Sequence, residues 1–150
     1  MKQQIISQVE AKPGIHFRKL QRELDCSKST VNYHISNIED LEEEKIRGYR
    51  RFYPSKIKEE DRNILAALNH SPRGEILYEL QQKHQKLTTI SENVDKSPAT
   101  VSQHLDILKN AGLVDKRNKY RLKNRTTEKV KQYSSRILEG RVDNFIDMWE

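Results

Sequence analysis

The sequence predicts a mainly α-helical chain with small β-hairpins, built as two similar units and followed by one amphipathic helix. Three observations predict this. Apolar residues recur at spacings of three and four in short blocks, which is the pattern of helices with one buried face. Two such blocks, offset by 70 residues, align without a gap from 17 to 41. Each block is followed by a short segment dense in Lys, Arg and aromatic residues around a tight turn, the composition of a small exposed hairpin.

The offset pairs are specific. Phe17 falls on Leu87, Leu20 on Ile90 and Leu24 on Val94, so the apolar face is kept. Asp25, Ser27, Thr30, Val31 and His34 fall on Asp95, Ser97, Thr100, Val101 and His104 without change. The polar identities gather at one turn and the helix after it, which marks a repeated supersecondary unit rather than two unrelated helices.

In the first unit Ile5, Ile6 and Val9 predict a helix over 2–11, stopped by Pro13-Gly14. Residues 14–17 suit a short strand. Phe17, Leu20 and Leu24 form a second helix, and Asp25-Cys26 turns the chain. Ser27 is a helix N-cap, because its hydroxyl can accept from an otherwise unpaired backbone N–H. A third helix is expected from about Lys28 to Leu41, burying Val31, Ile35, Ile38 and Leu41. Its other face carries Lys28, Ser29, Thr30, Asn32, Tyr33, His34 and Asn37, side chains whose donors and acceptors suit base edges and phosphates. The acidic run Glu42–Glu44 should face away from any polyanion. Ile46 and Phe52 or Tyr53 can pair around a Gly48 turn, with Lys45, Arg47, Arg50 and Arg51 about the tip.

In the second unit Ile64, Leu65 and Leu68 predict a helix near 60–69. Ser71-Pro72 reads as an N-cap followed by a proline in the first turn, opening a helix with Ile76, Leu77 and Leu80 inside. Leu87, Ile90 and Val94 mark the next helix. Ser97-Pro98 repeats the cap-plus-proline signal for a helix over 98–111 that buries Val101, Leu105 and Leu108. That helix presents Ala99, Thr100, Ser102, Gln103 and His104 elsewhere. Gly112 suits a left-handed stop. Two short strands then flank a basic tip, Lys116, Arg117, Asn118 and Lys119.

Charge follows the same division. Residues 1–57 hold 11 basic and 8 acidic side chains, residues 58–124 hold 12 and 9, and residues 125–150 hold 5 and 5. The two units are basic and the tail is neutral, so the tail is expected to serve another purpose. Over 126–149 a stripe of Val130, Tyr133, Ile137, Leu138, Val142, Phe145, Ile146 and Trp149 predicts one helix. Aromatic residues are enriched at interfaces, and Tyr133, Ile137, Val142, Phe145 and Trp149 are read as a homodimer contact. The alternative is packing of this helix on its own domain.

These elements make two winged helix-turn-helix domains, 1–57 and 58–124, with a C-terminal dimerisation helix over 125–150. Ser-Pro-Ala-Thr-Val-Ser-Gln-His-Leu-Asp-Ile-Leu-Lys-Asn-Ala-Gly-Leu-Val over 97–114 resembles the recognition helix and first wing strand of ArsR-type winged-helix repressors. Residues 14–35 are similar to winged helices of archaeal regulators that carry two such domains. Together the likeness spans about 3–123. It implies that Ser97, Thr100, Ser102, Gln103 and His104, and in the first unit Ser27, Ser29, Thr30, Tyr33 and His34, lie at double-stranded DNA. The chain departs from metal-sensing members: it has no Cys-x-Cys near the recognition helix and no clustered His and carboxylates on the last helix.

The function expected is sequence-specific DNA binding by a transcription regulator, with Lys28, Asn32, Arg47, Arg50, Arg51, Lys116, Arg117 and Lys119 completing the interface. Two other readings stay open, a protein-interaction scaffold built of winged helices and a replication initiator. No catalytic residue, metal or cofactor is expected: the five histidines are dispersed, and no phosphate-cradling glycine loop occurs. The single Cys26 cannot form a disulfide within the chain, which suits a reducing compartment. It sits at the start of a recognition helix, where a redox role or a small turn residue are both open, the latter favoured. No apolar run approaches the roughly 18 residues of a membrane span, so a cytoplasmic protein without a membrane partner is expected.

Overall fold

The computed structural model describes residues 1–134 and 137 of the chain. It divides into two compact units, Met1–Ala66 and a second from Ala67. The fold is mainly helical, with a small antiparallel sheet in each unit.

The first unit runs α1 (Lys2–Ala11), β1 (Ile15–His16), α2 (Phe17–Leu24), α3 (Lys28–Ser36), β2 (Leu41–Ile46) and β3 (Tyr49–Pro54). The strands lie in the order β1-β3-β2, all antiparallel. α1 ends where Gly14, at φ +89°, lets the backbone turn so that its N–H reaches the Phe52 carbonyl at 2.8 Å. The three helices and β3 close on one core of Ile5, Val9, Ile15, Phe17, Leu20, Val31 and Phe52. Cys26 packs against this core from the α2–α3 turn, and its thiol donates to the Leu24 carbonyl at 3.2 Å. That is the geometry of a small structural turn residue.

Two expectations need correction here. The third helix stops at Ser36, five residues before Leu41. The Ser36 hydroxyl and the Asn37 amide both donate to the Tyr33 carbonyl, at 2.7 and 2.9 Å, and such local side-chain bonds compete with the helical ladder. Leu41 instead opens β2, paired with Pro54. The acidic run is therefore inside a wing strand, with Glu43 opposite Phe52 and Glu44 opposite Arg51. Arg47 (φ +51°) and Gly48 (φ +85°) form the turn, and two left-handed residues match the twist of a two-residue hairpin.

After β3 come a 3-10 turn (Glu59–Asp61) and α4 (Arg62–Asn69). Arg62 accepts from the Tyr53 hydroxyl through its carbonyl at 3.3 Å, and its guanidinium pairs with Glu42 and Glu44. Ile64, Leu65 and Leu68 are buried as expected.

The second unit repeats the plan with α5 (Ser71–Gln82), α6 (Leu87–Val94), α7 (Pro98–Asn110), β4 (Val114–Lys116) and β5 (Tyr120–Leu122). The place of β1 is taken by one residue: Gln85 exchanges backbone hydrogen bonds with Tyr120 at 3.1 and 2.9 Å. Ile76, Leu77, Leu80, Ile90, Val94, Val101, Leu105 and Leu108 are buried, and Gly112 (φ +78°) follows α7. The cap of α5 is His70 rather than Ser71. Ser71 lies one residue inside, with its hydroxyl on Glu75 at 3.4 Å.

Residues 124–134 are helical. Tyr133 and Ile137, expected at a dimer contact, are both buried within the single chain together with Val130. Val142, Phe145 and Trp149 lie outside the described residues. No described helix is long and apolar enough to cross a membrane.

Candidate nucleic-acid interface

The turn before each third helix is built identically in the two units. Asp25 and Asp95 cap the preceding helix in the left-handed conformation, at φ +50° and +55°. Ser27 and Ser97 then accept from the backbone N–H of Thr30 and Thr100, at 3.2 Å in each case. The paired hydroxyls also meet, Ser27 to Thr30 at 2.7 Å and Ser97 to Thr100 at 2.9 Å. Four of the residues expected at DNA are thus tied into caps that fix where α3 and α7 begin. A cap of this kind is worth about 1 kcal/mol.

On α3, Lys28, Ser29 and Tyr33 are exposed, Tyr33 at 66%. His34 is half-buried with its ring edge-on to Tyr33. Asn32 is half-buried too, and its Oδ1 accepts from Arg50 Nη1 at 2.9 Å. On α7, Gln103 is exposed and Ser102 half-buried. His104 departs from its partner in the repeat. It turns toward α5, with Nδ1 3.4 Å from Arg73 Nη1 and its ring 5.3 Å from that of His70. His104 therefore belongs to the packing of α7 on the start of α5 rather than to a free reading face.

The first wing sorts its cations by strand alternation. Successive side chains of β3 point to opposite faces, and neither Arg50 nor Arg51 stands free as expected. Arg50 makes a two-pronged contact with Glu43, Nε to Oε2 and Nη2 to Oε1, both at 2.9 Å. It also lies over the Phe17 and Phe52 rings, at 4.6 and 5.5 Å. The shared hydrogen bonds lower the pKa of Glu43 and raise that of Arg50. Arg51 is only 4% exposed and donates to the Gly14 carbonyl at 2.8 Å. A buried guanidinium on a backbone carbonyl braces the sheet and cannot touch a phosphate. Lys45 and Arg47, at the tip, are exposed with Tyr49.

The second wing is shorter and keeps its tip basic. Lys116, Arg117 and Lys119 are all exposed, and Lys116 Nζ sits 5.1 Å from the Tyr120 ring. The one acid, Asp115, is engaged by Arg121 at 3.0 Å, below the tip.

The structure brings together a set of residues that the sequence reading did not assemble, Arg18, Gln21 and Arg22 among them. His16, Arg18, Gln21, Arg22, Asp25, Cys26 and Tyr49 line an open groove of about 610 Å3 between α2 and the first wing. Burial, and then Arg51, Arg22, Lys19 and Arg18 around it, lower the pKa of His16 to about 4. His16 is thus held neutral first by burial and then by the cations around it, whose share marks a positive local potential. The available signal was Arg18, Lys19 and Arg22 spaced along α2. Among the described residues no group of three or more His, Cys, Asp and Glu could hold a metal ion.

Residues 1–65 match a family of N-terminal helix-turn-helix domains. Residues 63–116 match the helix-turn-helix family of bacterial regulatory proteins, arsR family. The chain is a tandem helix-turn-helix transcriptional regulator. Neither curated proteins nor solved structures yield a match. The first match covers a whole unit with its turn, third helix and wing, and the second covers the turn and third helix of the other unit and ends with β4, before the wing tip and β5.

Proposed function

We propose that this regulator binds double-stranded DNA sequence-specifically in the cytoplasm, each winged unit acting as a DNA-binding domain. The observation that carries the reading is the repeated arrangement of a capped helix with a polar face beside a cation-tipped hairpin. Helix N-termini and exposed Lys or Arg hold phosphates and set register. Polar side chains on α3 and α7 then reach base edges in the major groove. Lys28, Ser29, Asn32, Tyr33, Ser102 and Gln103 are the reading set in this proposal. Arg18, Lys19, Arg22, Lys45, Arg47, Lys116, Arg117 and Lys119 are the phosphate set. A two-fold assembly through Val142, Phe145 and Trp149 suits a palindromic site, and sedimentation of a triple alanine variant tests it.

The deciding experiment is fluorescence anisotropy with random-sequence duplex from about 50 to about 300 mM salt, where phosphate contacts give a steep negative slope. Site selection follows. Gln103→Ala should cost about 1–3 kcal/mol at one base position and little on random duplex. Absence of binding at the lowest salt refutes the proposal.

A further inference from the structure

We propose that the groove between α2 and the first wing is a ligand site for a small aromatic anion that also carries an N–H donor, and that the bound ligand competes with DNA. The site stands on the geometry of the groove, and only the competition rests on the DNA-binding reading above.

The groove has the size of a small-molecule site, about 610 Å3 against a usual range of roughly 300–1,000 Å3. Its cations are uncommitted. Arg50, Arg51, Arg62 and Arg121 each hold a carboxylate or a carbonyl within the chain. Arg18 and Arg22 line the groove, are exposed, and have no side-chain partner among the described residues. They lie one turn apart on one face of α2, close enough to share a carboxylate or a phosphate. The wing side is aromatic. Tyr49 is 49% exposed, and the His16 ring stands edge-on to it with centres 6.0 Å apart. His16 is neutral near pH 7, so it adds no charge there and keeps one donor and one acceptor nitrogen. A planar ring packs well on such a wall.

Asp25 decides against a bare anion. It also lines the groove, and its carboxylate repels a phosphate unless the ligand offers it a hydrogen to accept. Gln21 donates from Nε2 to the Cys26 carbonyl at 3.2 Å and keeps its oxygen as a second acceptor. The phosphodiester backbone of DNA presents only acceptors, so it suits the two arginines and not Asp25. A nucleoside monophosphate or an aminobenzoate brings an anion, a ring and N–H donors together. The arrangement is also peculiar to the first unit. Ser27, Thr30 and Asp25 have identical partners in the repeat, whereas Arg18 and Arg22 fall on Thr88 and Glu92.

The test titrates the full chain, without DNA, with adenosine 5′-monophosphate and with 4-aminobenzoate, read by calorimetry. At least one should bind with a Kd below about 1 mM, and inorganic phosphate should bind at least about tenfold more weakly. Binding of the nucleotide alone assigns a phosphate head group, and binding of the benzoate alone a carboxylate. Arg22→Glu should weaken binding by about tenfold, the loss of one charge-assisted bond. Tyr49→Leu should weaken it about fivefold through the lost ring contact. Lys56→Ala, which removes an exposed cation of the same unit outside the groove, should leave it unchanged. All three positions are exposed, and melting curves confirm that the variants fold. Neither probe bound at about 5 mM, phosphate bound as tightly as the aromatic anions, or Arg22→Glu behaving like Lys56→Ala each overturns the site. With random duplex at about 50 mM salt, saturating probe should weaken DNA binding about tenfold. Unchanged duplex affinity with probe bound overturns the competition. Absence of duplex binding overturns the competition together with the DNA reading, while the titration still decides the site.

Discussion

The two wings carry similar numbers of cations and make different use of them. The first hairpin, 41–54, has four Lys and Arg against three Glu in strands of six residues each. Its acids are placed to meet arginines: Glu43 takes Arg50, while Glu42 and Glu44 take Arg62. The second hairpin, 114–122, has four cations against one Asp in strands of three. Among the described residues, only Arg121 is drawn into an ion pair there. The comparison teaches that cations in a hairpin are not the same as cations available to a phosphate. A longer strand has room to alternate, and alternation assigns half its side chains to the domain.

The largest effect that can test this division is in the core. Phe52→Ala removes the ring that β3 contributes to the first unit, fully buried and beneath Arg50, and should cost about 3–5 kcal/mol. Hydrogen exchange resolved by residue should show protection lost over 1–54 and kept over 71–122. Equal loss in both units would mean that they unfold as one and would break the comparison.

The next effect is on DNA. Replacing Lys116, Arg117 and Lys119 together by Ala should lower the salt slope by about 2–3, close to one unit per phosphate contact. Arg50→Met should leave the slope nearly unchanged, because Glu43 already neutralises that cation. A slope that falls by about one unit in Arg50→Met would show the first wing to be as open as the second.

A smaller effect separates the units by pH. His16 has a folded pKa of about 4, below its ordinary value of 6.5. The unfolded chain therefore binds a proton between these values while the folded one does not. Stability contributed by His16 is present above about 6.5 and is lost as pH falls toward 4. The repeat position in the second unit is Lys86, so that unit has no histidine at this place. Melts in this window should show the first unit weakening on acidification, and His16→Gln should flatten that dependence. An unaltered pH profile in His16→Gln would remove His16 from the account.

The smallest effect should be common to both units. Ser27→Ala and Ser97→Ala each remove an N-cap of the same geometry, 3.2 Å from its acceptor atom to the backbone nitrogen, and should each cost about 1 kcal/mol by chemical denaturation. Unequal losses would show that Pro98 or the neighbouring Ser29 contributes to one cap and not the other.

Much of this molecule was legible in its sequence, and the physical reason is locality. The 70-residue offset, the Ser27 and Ser97 caps, the Gly48 and Gly112 turns and the buried faces of α2, α6 and α7 depend on contacts three or four residues apart, which spacing reveals directly. The reading fell short once on local side-chain bonds and once on a distant contact. Extending α3 to Leu41 trusted the apolar spacing over the side-chain bonds of Ser36 and Asn37 to Tyr33. Placing His104 on DNA trusted its likeness to His34, whereas α5 brings Arg73 and His70 against it.

The sequence alone thus determined two capped, polar-faced helices, each followed by a basic hairpin. Only the tertiary structure decided which of those cations face outward. Arg50 and Arg51 are adjacent and chemically the same, yet one meets Glu43 and Asn32 and the other a carbonyl 37 residues away. Their roles follow from strand register, and shifting register by one residue exchanges the two faces. Register is set by pairing between strands, which no single segment encodes.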